Sequence, residues 1–333
     1  MKNGLSLVTG ANGHLGNNLV RILLKRGRNV RASVRNLDNK KPFEGTDCEI
    51  VYADLLDKDS LLKALEGVDT LFQVAAVFKH FAKDPGEEII KPVVEGTKNI
   101  LEAAKEQDVS KIVYVSSTVA LGDSSTKENP FTEKNWNTNT TFPYFYAKTK
   151  SEKIALELAR ELNLWLVTVL PSGMVGPNNH DHLTPSMELL HRVLHNELFV
   201  DVGFNFTFVD VRDVAEGMLL AEERGRNGER YILAIEDVTS TSELVEIAQS
   251  LYPFVRKPLF KPSKSILNSI ALLSEFASKI TGKPPLLMRS QVELFHRKST
   301  YLDISKAREE LGYSPRPSRK AIKECFEYLR ERG

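Results

Sequence analysis

The chain has 333 residues, 41% of them hydrophobic and 27% charged, with 45 basic side chains against 44 acidic ones. That length exceeds one average domain and leaves ample material for a core. The even balance gives no electrostatic case for nucleic acid or for an anionic membrane. Two cysteines, Cys48 and Cys325, match no metal spacing and read as free thiols of a reducing cytoplasm. The first strand opens at Leu5 with no room for a signal peptide, so a cytoplasmic location is expected.

The stretch LSLVTGANGHLG, residues 5–16, runs from a short apolar strand into a Gly-rich turn, and the helical pattern NNLVRILLKRG follows it. A helix N-terminus behind such a turn presents free backbone N–H groups and a favourable dipole to an anion. Gly10 suits the tight turn, Gly13 the close approach of a pyrophosphate, and Gly16 the packing of helix on strand. The first gap is one residue longer than in the GxGxxG dinucleotide fingerprint. A ligand-free structural turn is the competing reading, and the strand before with the helix after favours binding.

Next come a second strand, NVRASV, and a polar loop with Pro42 and Gly45. The second strand ends Ser33-Val34-Arg35, with no acid before Asp38 to accept from a ribose 2′-hydroxyl. Arg35 offers a fork-shaped donor to a 2′-phosphate, with Lys40 and Lys41 nearby in sequence, so NADPH is expected over NAD. CEIVYADL reads as the third strand. Asp54 at its end is placed to accept from an adenine amino group, while Asp57 or Asp59 better suits the cap of the helix SLLKALEG. VDTLFQVAA is a fourth, nearly continuous apolar strand of the kind parallel sheets bury on both faces. A long helix, EEIIKPVVEGTKNILEAAKEQ, leads to a fifth strand, KIVYVSS, and a polar surface loop from Asp123 to Thr141. YFYAKTKSEKIALELARELN is helical, and LWLVTVLP is the sixth strand. This alternation predicts an α/β fold, a Rossmann doubly wound parallel sheet with right-handed crossovers.

Beyond Pro171 the pattern changes. SGMVGPNNHDHLTP reads as a loop, SMELLHRVLHN as a helix, FNFTFVD as one strand, VRDVAEGMLLAEER as a helix, and RYILA as a strand that rejoins the sheet. Residues 1–171 are expected to form the NADP-binding domain, rejoined by about 204–235. Residues 172–203 and 236–333 are expected to form a smaller, mainly helical substrate lobe. Within it, residues 263–282 carry Ile266, Ile270, Leu273, Ala277 and Ile280 at helical spacing. An amphipathic core helix is expected there, over a peripheral membrane contact or a substrate lid. Charges interrupt this segment, so it is not read as a membrane span.

Chemistry concentrates between Tyr144 and Lys150, where two Tyr-x-x-x-Lys pairs overlap, Tyr144 with Lys148 and Tyr146 with Lys150. Either pair shares one helical face. A tyrosine of ordinary pKa about 10 is a poor acid–base group at neutral pH. Lowering it by ~2 to 3 units takes roughly 3 to 4 kcal/mol, which an ammonium about 4 Å away supplies at an effective dielectric near 20. The fifth strand ends Ser116-Ser117-Thr118, whose hydroxyls are candidates to hold a substrate oxygen.

With these residues in hand, the chain resembles the extended short-chain dehydrogenases/reductases of the NAD-dependent epimerase/dehydratase superfamily. It is most similar to their dihydroflavonol-reductase-like and cinnamoyl-reductase-like branch, which also includes sugar epimerases and 3β-hydroxysteroid dehydrogenases. VTGANGHLG, VRASVRN, IIKPVVEGTKNILEAA, YVSSTVALG, PYFYAKTKSE, LPSGMVGP, FVDVRDVAEG and ISKAREELGYSPRP carry the resemblance nearly end to end. It implies that the Tyr144 register, with Ala147, Lys148, Ser151 and Glu152, is the catalytic one and that Ser117 is the catalytic serine. It also implies cofactor contacts at Gly10, Asn12, Gly13, His14, Leu15, Gly16, Arg35, Asp54, Leu55, Ala75, Ala76, Pro171 and Met174. Val93 stands where many relatives carry a relay Asn, which leaves the proton path to the ribose, Lys148 and water. Homodimerisation through the helices starting near Ile89 and Tyr144 is a further implication.

No metal site is expected. His180, Asp181 and His182 lack further ligands at useful spacing and are read as the rim of a substrate entrance. His191 and His195 are read as packing residues. Asp210, Arg212 and Asp213 are read as a helix cap with an ion pair tying the lobes together. Val77, Phe78, Met174, Met187 and Phe204 are candidate substrate-lining residues. The expected activity is NADPH-dependent reduction of a small or medium, partly apolar aldehyde or ketone. The rivals are a nucleotide-sugar epimerase or dehydratase holding NAD and a non-catalytic dinucleotide sensor.

Overall fold

The computed structural model describes residues 4–76, 84–180, 183–281, 285 and 287–332. Its first half alternates as the apolar runs require: β1 (Leu5–Val8), α1 (His14–Lys25), β2 (Asn29–Val34), β3 (Glu49–Tyr52), α2 (Lys58–Leu65), β4 (Val68–Gln73), α3 (Lys91–Glu106), β5 (Lys111–Val115), α4 (Pro143–Glu161) and β6 (Leu166–Pro171). Local chemistry sets several starts. Asp57 caps α2 by accepting from the Ser60 amide at 3.2 Å, and Pro143 occupies the first turn of α4, where no amide is needed. The second half holds β7 (Gly173–Val175), α5 (Pro185–Leu194), β8 (Asn205–Phe206), β9 (Phe208–Asp210), α6 (Val211–Arg224), β10 (Arg230–Leu233), β11 (Thr239–Ser240), α7 (Thr241–Leu251), α8 (Lys264–Thr281), α9 (Arg289–Phe295) and α10 (Ser318–Glu331).

Seven strands form one parallel sheet in the order β10-β6-β5-β4-β1-β2-β3. This is the doubly wound arrangement, and its order reverses between β1 and β4, where a crevice opens beyond the strand ends. The returning strand RYILA does rejoin the sheet, beside β6. One apolar cluster covers the sheet through α1 and α6, and another covers its opposite face through α2, α3 and α4. A separate core gathers α5, α7 and α10 around Met187, Leu244 and Phe326.

Four details depart from the sequence reading. The fourth strand stops at Gln73, because the amides of Val74 and Ala75 both donate to the Thr9 hydroxyl, at 2.9 and 3.0 Å, and leave the ladder. The expected loop after Pro171 contains β7. FNFTFVD is two strands rather than one: β8 pairs antiparallel with β11, and β9 pairs parallel with β7. Lastly, α8 is not a core helix. Only Leu267 and Ala271 on it are buried, and most of its large apolar side chains face outward.

Candidate active site

The nucleotide turn is built by contact between strand ends. Gly10 has φ of +60°, and a Cβ there would lie 3.0 Å from the Ala75 backbone. A Cβ on Gly16 would overlap the Gly10 carbonyl, so the start of α1 packs on the turn only with glycine at that position. Gly13 is the N-cap residue and gives no side-chain cap, and the first turn of α1 carries no acid. The positive end of the helix is therefore left to an outside anion, as a pyrophosphate would supply. His14 is engaged elsewhere. Its Nε2 donates to the carbonyls of Gly176 and Pro177, at 3.0 and 3.1 Å, and burial lowers its pKa to about 4, so it is neutral. Its side chain thus ties this turn to the loop after β7.

The other expected cofactor residues spread along the same edge. Arg35 is exposed directly after β2. Asp54 turns one carboxylate oxygen back to the Leu56 amide at 2.9 Å. Leu55 packs on Gly96 of α3, and its carbonyl accepts from Asn99 at 2.9 Å, so its side chain serves the sheet-to-helix contact. Ala75 and Ala76 follow β4 beside Gly10, and Asn12 and Leu15 lie in and just after the turn. Pro171 ends β6 in register with Leu233, and Met174 in β7 pairs with Val209.

Ser117, Tyr144 and Lys148 come from two adjoining elements, the turn after β5 and the first two turns of α4. Ser117 caps the short helical turn 118–120, accepting from the Val119 amide at 3.4 Å. Tyr144 and Lys148 are both buried, and Lys148 Nζ donates to the Val115 carbonyl at 3.4 Å, two residues before Ser117. The expected drop in the Tyr144 pKa is absent. Burial of the phenol raises it above its ordinary value, and burial also brings the Lys148 ammonium down to about 8, against which the Glu152 charge works. Desolvation opposes both charged forms at once, so each group is pushed toward neutrality.

Behind this pair lies a network that the residue-by-residue reading missed. Glu152, fully buried, accepts from Ser116 at 2.6 Å and from Arg230 Nε at 2.7 Å. Arg230 also donates to the carbonyls of Glu133 and Asn135 and stacks its guanidinium on Trp136 at 3.6 Å. The family pattern marks Glu152; nothing local pointed to Arg230, which is 78 residues distant in sequence.

A cavity of ≈ 130 Å³ opens beside the turn after β5 and the start of α4. Its apolar wall includes Phe145, Phe206, Phe208, Leu294 and Phe295, with Phe145 and Phe295 edge to face at 6.2 Å. Its polar margin includes Ser172, whose buried hydroxyl has no hydrogen-bond partner among the described residues. Of the expected lining, Met187 is instead buried in the core of α5, α7 and α10, where it receives Cys325 Sγ at 3.2 Å. Met174 packs against the sheet, and Phe204 stands behind Phe206 and Phe295. Val77 and Phe78 lie outside the described residues, as do Asp181 and His182. His180 meets Arg332, and no group of three or more potential metal ligands occurs among the described residues. His191 and His195 stack on each other at 4.0 Å. Asp210 caps α6, accepting from the Arg212 amide at 2.8 Å, and with Arg212, Arg316, Asp213 and Glu324 joins α6 to α10.

Comparison with known proteins agrees with this architecture. Residues 6–234 match the model of the NAD dependent epimerase/dehydratase family. The chain is 32% identical to sterol demethylase protein B of Methylococcus capsulatus, across 98% of this chain and 99% of that one. It is 31% identical to the bifunctional dihydroflavonol 4-reductase/flavanone 4-reductase of Malus domestica, across 74% and 76%. Among solved structures, the crystal structure of gox2253 superposes with a TM-score of 0.84 at 34% identity, covering 99% of each chain. The chain belongs to the NAD dependent epimerase/dehydratase family, within the extended short-chain dehydrogenases/reductases, and is an NAD(P)-dependent oxidoreductase acting on alcohol or carbonyl groups.

Proposed function

We propose that this protein is an NADPH-dependent reductase of partly apolar aldehydes and ketones. The observation that carries the reading is the cavity itself, which is lined by aromatic side chains and bordered by the chain neighbours of Ser117 and Tyr144. A bound reduced nicotinamide supplies the hydride to the carbonyl carbon. Tyr144 gives its proton to the carbonyl oxygen, and Ser117 holds that oxygen by donating its hydroxyl hydrogen. Lys148, at its lowered pKa of about 8, stands one helical turn away to steady the phenolate left behind and to return a proton. The raised pKa of Tyr144 keeps it in the acid form that reduction consumes. Ser172, with its unpartnered hydroxyl, is suited to a second polar group on the substrate.

The cofactor preference rests on Arg35, exposed after β2 with Val34 in place of an acid. Sterol demethylase protein B carries a name that implies a ring-bearing, largely apolar substrate, which supports the apolar cavity reading. A second reading, an epimerase retaining NAD, draws support from the family's description. The deciding experiment follows loss of reduced-nicotinamide absorbance with NADPH or NADH against a panel of aldehydes and ketones, with Tyr144→Phe alongside. Carbonyl-dependent oxidation of NADPH that disappears in Tyr144→Phe is expected. Undiminished turnover by that variant, with NADPH still bound, would remove Tyr144 from the mechanism.

A further inference from the structure

We infer that α8 and the strap leading into it dock on an anionic phospholipid surface. At 100° per residue, Leu272, Phe276, Ile280, Leu273, Ile266 and Ile270 fall within an arc of about 160°. All six are exposed, with Leu273 at 70%, Phe276 at 63% and Ile280 at 72%. The helix's other side, Leu267 and Ala271, packs on Val292 of α9, and the pairs Lys264–Glu293 (2.7 Å) and Arg289–Glu275 (3.0 Å) hold it there. The apolar arc is therefore presented by a fixed helix and is not a core face waiting to close. The strap before the helix exposes Leu259 and Phe260, and Leu259 donates its amide to the carbonyl of Phe199, itself exposed.

Charge chooses the occupant. Between residues 254 and 281, Arg256, Lys257, Lys261, Lys264 and Lys279 outnumber Glu275, and although Lys261 pairs with Asp201 at 3.0 Å and Lys264 with Glu293 at 2.7 Å, the segment stays basic while the rest of the chain is acidic on balance. The near-zero total charge concealed this local excess. Apolar side chains set among lysines are the pattern of a helix lying in the headgroup region, where each cation near an anionic leaflet adds about 1 kcal/mol. A second copy on the same face would set like charges against each other. A lid over the cavity would need this face turned inward, yet α9 lies between, with Leu294 and Phe295 on the cavity wall. Among the described residues no helix is long and apolar enough to cross a membrane, so the contact is peripheral. It sets the cavity one helix away from the bilayer surface.

The test is co-sedimentation of the full chain with phosphatidylcholine vesicles, with and without phosphatidylserine. Size-exclusion chromatography with light scattering and a thermal melt accompany each variant. Binding is expected to be about tenfold stronger with phosphatidylserine, and to weaken several-fold in about 0.5 M salt. Leu273→Asp/Phe276→Asp, folded by its melt, should lose binding. Should that pair misfold, Lys257→Glu/Lys279→Glu decides instead, by losing the phosphatidylserine dependence. Three results overturn the inference: no binding of the native chain to phosphatidylserine vesicles, undiminished binding by the folded variants, or a native dimer that Leu273→Asp/Phe276→Asp converts to monomer.

Discussion

At the scale of single residues, the candidate site holds buried groups away from their ordinary ionisation. Lys148 binds its proton until about pH 8 in the folded chain and until about 10.5 in the unfolded one. The unfolded state therefore holds more protons between those values, and stability rises with pH across that window. Below it the penalty stands in full, about 3 kcal/mol. Lys148→Met should accordingly raise unfolding stability at pH 7 by up to about that amount, with the gain fading toward pH 10.5 while turnover is lost. Urea titrations at the two pH values check this, and an unchanged or lower stability at pH 7 would refute the desolvation argument. Arg35→Ala addresses the cofactor preference. It should weaken NADPH binding at least about tenfold and NADH binding little, read by nicotinamide fluorescence titration. Equal losses for the two nucleotides would remove the phosphate contact.

At the scale of elements, the start of α1 depends on what glycine lacks. Gly16→Ala places a Cβ against the Gly10 carbonyl, a backbone atom that cannot step aside without opening the turn. Dinucleotide affinity should fall by about an order of magnitude or more, with a loss of stability of about 1 to 3 kcal/mol, while α1 itself persists in circular dichroism. Isothermal titration of cofactor with a parallel melt measures both, and native affinity would show that the turn has slack. The same period-counting that placed α1 and α4 also found α8, but assigned its apolar face to the core. Helical spacing reports that a face is apolar; what covers the face is a property of the neighbours.

At the scale of the whole molecule, the returning strand β10 locks the sheet to the 123–141 loop and to α4. Arg230 reaches from β10 to Glu152 in α4 and to two carbonyls of the 123–141 loop. Arg230→Leu leaves the Glu152 carboxylate buried, held by the Ser116 hydroxyl at 2.6 Å. Breaking such a pair should cost about 3 to 5 kcal/mol in chemical denaturation. A loss below about 1 kcal/mol would mean that water or a shifted loop replaces the guanidinium.

The sequence by itself determined the strand–helix alternation, the nucleotide turn and the two overlapping Tyr-x-x-x-Lys pairs, between which only the family resemblance chose. Each depends on residues within a few positions of one another: period, glycine placement and one-turn spacing. It also pointed to the cap at Asp210 and narrowed that of α2 to Asp57 or Asp59, where a short side chain meets an amide two or three residues on; the structure selects Asp57. Only the tertiary structure decided which surface lines the cavity, why Tyr144 is pushed toward its neutral form, and that α8 faces outward. Those outcomes follow from packing among Phe145, Phe206 and Phe295, from desolvation by surrounding chain, and from the small contact that α9 offers α8. Burial is a sum over distant neighbours, and no local pattern of residues contains it.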